Sequence, residues 1–364
     1  TKNSLGNRDL KPEKATEHEM GVDMILNNRF QLELSYIDKK TEDLLFQLPL
    51  PAVTGYAIQW ANAGVQSGTT YEATLQAQIM SRPQFSWQMT FVADHSDSKI
   101  DKWERSCFFS TLRNICEGAS LADMWGQSFL TSLDQLPEAT RSQYQVNDEG
   151  YVVAVGAGNT YRDGVSKNLW GTNVDVAGVP TPWGLPILER DEAGFVRTQK
   201  IGSSLADVNF GWLNNFQYRG IAIHTHVRGQ VGGDIYNGTR QRMYQHERHK
   251  DLDQTGKADE LKKTTSYYQS IYNKNDNTIA FVEDGSFMKL QELSLQYHFS
   301  QNEMAKIGLG RVLPNLTLGL IGRNLVTLTN YTGFDPDVGS PLQRYDSFTY
   351  PNTRTLTAQF EVVF

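Results

Sequence analysis

Two short stretches of the sequence carry residue types that bind metal ions. Asp335 and Asp337 flank Pro336, and paired carboxylates across a proline turn are oxygen donors of the kind that calcium uses. The same three residues also fit an ordinary loop turn in which proline sets φ, and this interpretation is favoured. His246 and His249 would share one face of a helix, but two ligands alone do not make a zinc site. We therefore predict no metal site and no cofactor.

Two groups of side chains are candidates for ligand contact. Aromatic residues in the long polar stretches would offer flat apolar faces to sugar rings or peptides; they are Trp170, Trp183, Tyr236 and Tyr244. Polar residues that alternate onto one face of a strand form the second group; they are Glu72, His224, His226 and Arg228. For this second group, contacts inside the protein and simple solvation are the favoured alternative to ligand binding.

Cys107 and Cys116 are the only cysteines, and the eight residues between them fit no common zinc or redox motif. In an oxidising compartment they would close a short disulfide loop, whereas in the cytosol they would be two small buried hydrophobic residues. Both possibilities remain open on the sequence.

Composition excludes several classes of protein. The 364 residues include 34 Lys and Arg against 41 Asp and Glu, and no stripe of basic and aromatic residues would follow a nucleic-acid backbone. No run approaches 18 consecutive apolar residues, so a membrane-spanning helix is excluded. The sequence also has no Gly-rich phosphate loop, no nucleophile elbow and no carboxylate pair in a catalytic context. We predict that the protein binds no nucleic acid and is not an enzyme.

The elements that would position these residues are long strands with a period of two. Apolar and polar residues alternate in nine segments: 15–27, 30–36, 71–79, 85–91, 210–218, 221–227, 293–299, 316–320 and 356–364. Short turns lie at 27–28, 81–84 and 219–220, and long polar connections lie at 38–69, about 130–207 and 233–280. Short turns at one end and long loops at the other are typical of an outer-membrane β-barrel. A soluble β-sandwich is the alternative, although its strands are usually shorter.

Several motifs resemble one family of such barrels. Residues 5–13 (LGNRDLKPE) and 17–23 (EHEMGVD) resemble a segment of TonB-dependent outer-membrane receptors. Residues 283–297 (EDGSFMKLQELSLQY), 322–337 (GRNLVTLTNYTGFDPD) and 350–355 (YPNTRT) are similar to motifs of the SusC/RagA branch, and the chain ends on Phe364, as outer-membrane barrels usually do. Residues 165–172 depart from that pattern, because many relatives carry an acidic Gly-Asp-Gly loop there.

The resemblance implies a transmembrane antiparallel β-barrel of 22 strands, of which this chain would supply about nine or ten. Residues 1–364 would be the C-terminal part of one barrel domain, with the plug and the N-terminal extension outside this sequence. Edge strands in lipid would leave unpaired backbone groups at several kcal/mol each, so the remaining strands of the same barrel would have to close the sheet.

The implied function is TonB-dependent import of a bulky nutrient, such as an oligosaccharide or a peptide, across the outer membrane of a Gram-negative bacterium. The implied partners are a SusD-like surface lipoprotein, the TonB–ExbB–ExbD system, the plug of the same barrel and the lipid bilayer. A barrel that acts as a structural or binding component without transport is the alternative function.

Overall fold

Nine long strands form one antiparallel sheet in the computed structural model, which describes residues 2–272, 276–313 and 315–363. Each strand pairs with its neighbours in chain order. The strands are β1 (Lys14–Leu26), β2 (Phe30–Glu42), β3 (Gly64–Arg82), β4 (Phe85–Trp103), β5 (Val208–Tyr218), β6 (Ile221–Val231), β7 (Phe287–Phe299), β8 (Asn315–Thr329) and β9 (Thr355–Val363). All nine predicted strands are present, and the all-β fold class is confirmed.

The register gives the sheet one apolar face and one polar face. On the apolar face, Val22 lies opposite Leu34, and Leu34 lies opposite Ala73. On the polar face, the neighbouring row runs through Asp23, Glu33 and Thr74. Because side chains alternate along a strand, this register carries the same division into the neighbouring strands, except near the loop end of β3 and β4.

The apolar face is not covered by any other described part of the chain. Met20 is 69% exposed and Leu320 is 64% exposed, although both are large apolar side chains. A β-sandwich would bury such a face against a second sheet. An exposed apolar face opposite a polar one fits a barrel wall and argues against the sandwich.

The two ends of the sheet differ as predicted. Residues 27–29, 83–84 and 219–220 are tight turns. Asn27 and Asn28 are the central residues of a β-turn closed by the hydrogen bond from Arg29 N to Leu26 O, and their φ of 52° and 51° are those of a type I′ turn. The fourth connection at this end, 300–314, contains the helix α3 (Gln301–Lys306). Phe364 lies outside the described residues.

At the opposite end are the long connections 43–63, 104–207, 232–286 and 330–354. The first begins later and ends earlier than the predicted loop 38–69, because β2 and β3 extend well beyond their alternating segments. Near Gly68 and Asp97 both faces of the sheet are polar, so the alternation that marks a strand is lost there.

The long connections contain short elements of their own. Parallel strand Lys2–Leu5 joins the pair Leu45–Pro49 and Tyr56–Asn62, and a second three-stranded sheet contains Asp234–Asn237, Val282–Asp284 and Tyr345–Asp346. Four two-stranded pairs are Phe108–Ser110 with Arg113–Ile115, Asp123–Gln127 with Thr198–Ser203, Tyr144–Val146 with Val152–Ala154, and Asn173–Val176 with Val179–Pro182.

Two α-helices lie in the same loops, α1 (Gly238–Gln245) and α2 (Thr265–Tyr272), together with single 3₁₀ turns at Ala52–Thr54, Leu133–Gln135, Glu138–Gln143, Tyr161–Asp163, Lys250–Leu252, Asp259–Leu261 and Ile279–Phe281. Within the described residues, no helix combines the length and the apolar character needed to cross a membrane. The largest buried hydrophobic cluster lies in these loops and not on the sheet.

Candidate functional site

The connection 330–354 is tied to the polar face of the sheet by two cationic side chains. Arg228 on β6 and Lys289 on β7 are directly opposite each other in the register. Arg228 Nη1 donates to Asp337 Oδ2 at 2.9 Å, and Lys289 Nζ donates to Asp335 Oδ1 at 2.6 Å. The Lys289–Asp335 pair is almost fully buried, with side chains 3% and 6% exposed, whereas the Arg228–Asp337 pair is partly open to solvent. The loop is therefore anchored by one buried contact and one accessible contact.

Asp335 sits in a closed set of donors. Besides Lys289, the backbone N of Asp337 and both the backbone N and Nδ2 of Asn352 donate to its carboxylate, at 3.0, 2.9 and 3.0 Å. Burial alone would raise the pKa of Asp335, but these hydrogen bonds and the nearby Lys289 charge together hold it below its usual value. A calcium ion would have to displace the lysine, so the turn interpretation of this motif is the one that the geometry supports.

Arg344 joins three segments of chain above the polar face. Its Nη2 donates to the carbonyls of Gly285 and Pro336, and its backbone N donates to Ser204 Oγ. Burial lowers the pKa of Arg344 to about 10, which still leaves the guanidinium charged at neutral pH. Gly285 has no room for a Cβ, because the guanidinium of Arg344 and the carbonyl of Gly233 occupy that space.

A groove of about 550 Å³ remains between the polar face and this anchored loop. Its polar lining includes Asp94, Asn209, His226, Arg228, Gln230, Ser340 and Arg344. Asn209 Nδ2 donates to Asp94 Oδ2 at 2.8 Å, so one wall of the groove is held in place across β4 and β5. The groove offers both hydrogen-bond donors and acceptors, together with an Arg228 side chain that is about half exposed. Such a surface can exchange hydrogen bonds with a polar ligand.

Known proteins are similar to this chain in sequence and in fold. The model for the TonB dependent receptor-like β-barrel matches residues 1–105. TonB-dependent receptor P3 of Formosa agariphila is 26% identical over 376 residues, covering 99% of this chain and 35% of that protein. TonB-dependent receptor P39 of the same organism is 24% identical over 393 residues, covering 99% and 36%. Over nearly its whole length the chain is therefore similar to the β-barrel part of TonB-dependent receptors.

Solved structures are similar to this chain in fold. The RagAB peptide transporter matches with a TM-score of 0.66 at 19% identity, covering 97% of this chain and 35% of that one. The RagAB peptide importer in its open-open state also gives a TM-score of 0.66, covering 100% and 36%. The likeness confirms the SusC/RagA-type resemblance at the level of fold. The chain spans about a third of the length of these relatives.

The three C-terminal motifs of this chain converge on the anchored loop. The motif at 283–297 supplies Lys289, the one at 322–337 supplies Asp335, and the one at 350–355 supplies Asn352. Glu283 extends the same connection by accepting hydrogen bonds from the backbone N and the Oγ1 of Thr332. The sequence indicated these motifs only as a resemblance, and the pairing of Lys289 with Asp335 across 46 residues had no periodic signal.

The prediction that the loop aromatic residues are exposed is wrong for three of the four. Tyr236 is 0% exposed, Trp183 is 1% exposed and Tyr244 is 3% exposed, while Trp170 is partly buried and packs edge-on against Trp183 at 4.8 Å. Tyr236 and Tyr244 belong to a core cluster built from the long loops, which also contains Leu112, Met124, Ile201, Tyr267, Tyr268, Ile271, Tyr272 and Phe281. Side chains buried in this way hold the loops together and present no ring to a ligand.

The predicted polar residues all lie on the polar face. His226 and Arg228 line the groove, His224 lies further towards the short turns and contacts Asn215 Oδ1 through Nδ1 at 2.7 Å, and Glu72 lies opposite Asp94. Their role in ligand binding stays a prediction. Sequence reasoning did not single out Asp94, Asn209, Gln230 and Arg344 as groove residues. The alternation along a strand was the only sequence signal for the first three, and Arg344 had no signal.

Cys107 and Cys116 form a disulfide in the structure, with a Cα–Cα distance of 4.8 Å. The bond closes the base of the hairpin Phe108–Ser110 and Arg113–Ile115. At the tip of that hairpin, Leu112 is buried in the loop core, and Arg113 Nη2 donates to the carbonyl of Leu342. The disulfide therefore fixes a hairpin that connects the loop core to the loop over the polar face.

His249 makes contacts with protein groups. His249 Nδ1 lies 3.1 Å from Asp251 Oδ2, and its ring packs against Tyr244. No group of three or more potential ligands for a metal ion occurs among the described residues.

Proposed function

We propose that this chain forms part of the wall of a TonB-dependent transporter in the outer membrane of a Gram-negative bacterium. Residues 1–364 would belong to one barrel domain, whose other strands and plug lie elsewhere in the complete protein. The observation that carries the proposal is the exposed apolar face opposite a polar face over which the loop 330–354 is anchored. Lipid would cover the first face, and the second would line a pathway.

The cargo that we propose is a bulky polar nutrient, a peptide or an oligosaccharide. RagAB, whose fold the chain shares, is a peptide transporter, which supports the peptide. A groove with Asp94 and Asn209 on one wall and Arg228 on another also offers partners to amide and hydroxyl groups alike.

The partners follow from the same proposal. The TonB–ExbB–ExbD system would supply energy through the plug, and a SusD-like surface lipoprotein would close the barrel on the side of the long loops. That side carries the anchored loop and the groove, so a captured nutrient would reach the groove residues first.

The test uses the complete gene in its own host. Uptake of a labelled peptide pool and a labelled oligosaccharide pool is measured in the wild type, in a gene deletion and in a strain without TonB. We expect uptake of one pool to be lost in both mutant strains. Uptake of both pools that is unaffected by both deletions would support the alternative, a barrel that binds or scaffolds without transport.

A variant of Arg228 tests the groove itself. Arg228→Gln removes the accessible contact to Asp337, whereas Arg323→Gln removes a comparable contact to Glu292 on the same polar face outside the groove. We expect slower uptake for Arg228→Gln at equal amounts of folded protein, and normal uptake for Arg323→Gln. Equal effects of the two variants would mean that the groove has no special part in passage.

A further inference from the structure

The short-turn end of the sheet has a charge opposite to that of the whole chain. The residues there include five cations, Arg29, Arg82, Arg219, Lys306 and Arg311, while the formal net charge of the chain is −7. Glu303 is the one carboxylate in these connections, and it accepts hydrogen bonds from the backbone N and the Oγ of Ser300 and from the hydroxyl of Tyr297. These hydrogen bonds engage the charge of Glu303. The short-turn end of the sheet, which we call the rim, is therefore positively charged.

Aromatic side chains on the apolar face gather at the same end. They are Phe30, Phe85, Trp87, Phe216, Tyr218, Tyr297 and Phe299, each within a few residues of a short turn. Trp87 and Phe216 stack with ring centroids 5.2 Å apart. Aromatic rings of membrane barrels lie at the level of the lipid head groups, with their apolar bodies in the acyl region. The positive rim therefore lies at head-group level.

Two of the cations flank one aromatic pair. Arg82 lies opposite Phe85, and Phe85 lies opposite Tyr218, so these three residues form one row on the apolar face. Arg219 follows Tyr218, its backbone N donates to the carbonyl of Gln84, and its guanidinium carbon lies 5.3 Å from the centre of the Tyr218 ring. With strands about 4.8 Å apart, the backbones of Arg82 and Tyr218 are roughly 10 Å apart.

The guanidinium groups of Arg82 and Arg219 are available to bind a ligand. Within residues 2–272, 276–313 and 315–363, neither makes a side-chain hydrogen bond or an ion pair. Arg29 is different, because its Nε and Nη2 donate to the carbonyls of Gln78 and Ile79, where β3 has a bulge. The hydrogen bonds of Arg29 therefore give its side chain a structural role, whereas no such contact gives one to Arg82 or Arg219.

We propose that Arg82, Phe85, Tyr218 and Arg219 form a binding site for the phosphate head group of an anionic phospholipid. This rim site rests on the proposed membrane location of the barrel. The arginine stems would lie along the aromatic rings while both guanidinium groups reach the head group, where their planar forks match phosphate oxygens. The Tyr218 hydroxyl supplies a further donor at the same level.

The test measures lipid preference in the complete, folded protein. Native mass spectrometry of the detergent-purified protein compares binding of phosphatidylglycerol with that of phosphatidylcholine. We expect the wild type to prefer phosphatidylglycerol, and Arg82→Gln with Arg219→Gln to reduce that preference by about fivefold per arginine. A variant with Arg82→Lys and Arg219→Lys should keep part of it, because the charges remain while the planar forks are lost, which separates lost charge from a folding defect.

The matched control is Arg105→Gln with Arg162→Gln, which removes two exposed arginines at the opposite end of the sheet and should leave the preference unchanged. Unchanged phosphatidylglycerol binding by the rim double variant would overturn the proposal. So would full competition by glycerol phosphate without acyl chains, because the site would then not select a lipid. If the folded barrel inserts into bilayers but shows either result, only this inference fails and the proposed function stands.

Discussion

Aromatic residues serve two regions of this molecule in opposite ways. In the long loops, Phe281 is fully buried among tyrosines, with the Tyr244 ring 5.3 Å away. On the apolar face of the sheet, Phe360 is 66% exposed although it belongs to a regular strand. The loops thus bury their own apolar surface, whereas the sheet leaves its apolar surface for another medium to cover. The same residue type is therefore packed against protein in one region and exposed on an apolar face in the other.

The largest expected effect comes from making the same substitution in both regions. Phe281→Ala should destabilise the loop core by about 3–5 kcal/mol, because a large ring leaves a cavity that its neighbours cannot fill. Phe360→Ala should cost much less, since lipid or detergent can fill the space. Denaturant titration of the detergent-folded protein, followed by proteolysis of the loops, measures both. Equal losses would mean that the apolar face is packed against protein.

How far the sequence predicts the structure differs between the same two regions. The strands were predictable because an apolar face opposite a polar one imposes a period of two on residues such as Met20, Val22 and Met24. In the loops, apolar and polar residues follow no periodic pattern. Connecting loops usually run over the surface of a protein, so the sequence predicts an exposed Tyr236, and this prediction is wrong. A connection as long as 104–207 is large enough to have its own core. The Lys289–Asp335 contact joins distant segments without any local pattern.

The second prediction concerns which face meets lipid. Phe91 lies on the apolar face of β4 and its neighbour Thr90 on the polar face. Phe91→Arg should cost about 2–4 kcal/mol near the middle of the bilayer and prevent assembly. Thr90→Arg should assemble, because its charge would face the polar side. The amount of heat-modifiable barrel in the outer membrane measures both, and assembly of both variants would show that the two faces were assigned wrongly.

The third prediction concerns the hairpin between the two cysteines. Replacing Cys107 and Cys116 with Ala removes a cross-link with a sequence separation of 9 and should destabilise the loop region by about 2–3 kcal/mol. We expect faster proteolysis within 104–207 and an unchanged barrel. Treating the wild type with a reductant should reproduce this result. Loss of the barrel itself would mean that the loops and the sheet fold as one cooperative unit.

The smallest expected effect is the response of the anchored loop to pH, and it separates the buried contact from the accessible one. The folded pKa of Asp335 lies below its unfolded value, so the carboxylate stabilises the loop fully above the unfolded pKa of about 3.9. This stability should be lost as the pH falls through the folded pKa. The protection of residues 330–354 from hydrogen exchange, corrected for the intrinsic exchange rate at each pH, should therefore fall only in acid. Asp335→Asn should exchange faster at neutral pH and lose the acid dependence, because the amide cannot carry the charge that Lys289 requires. If the wild type and Asp335→Asn had the same pH profile, the loop would be held by Arg228 and Arg344 rather than by the buried pair.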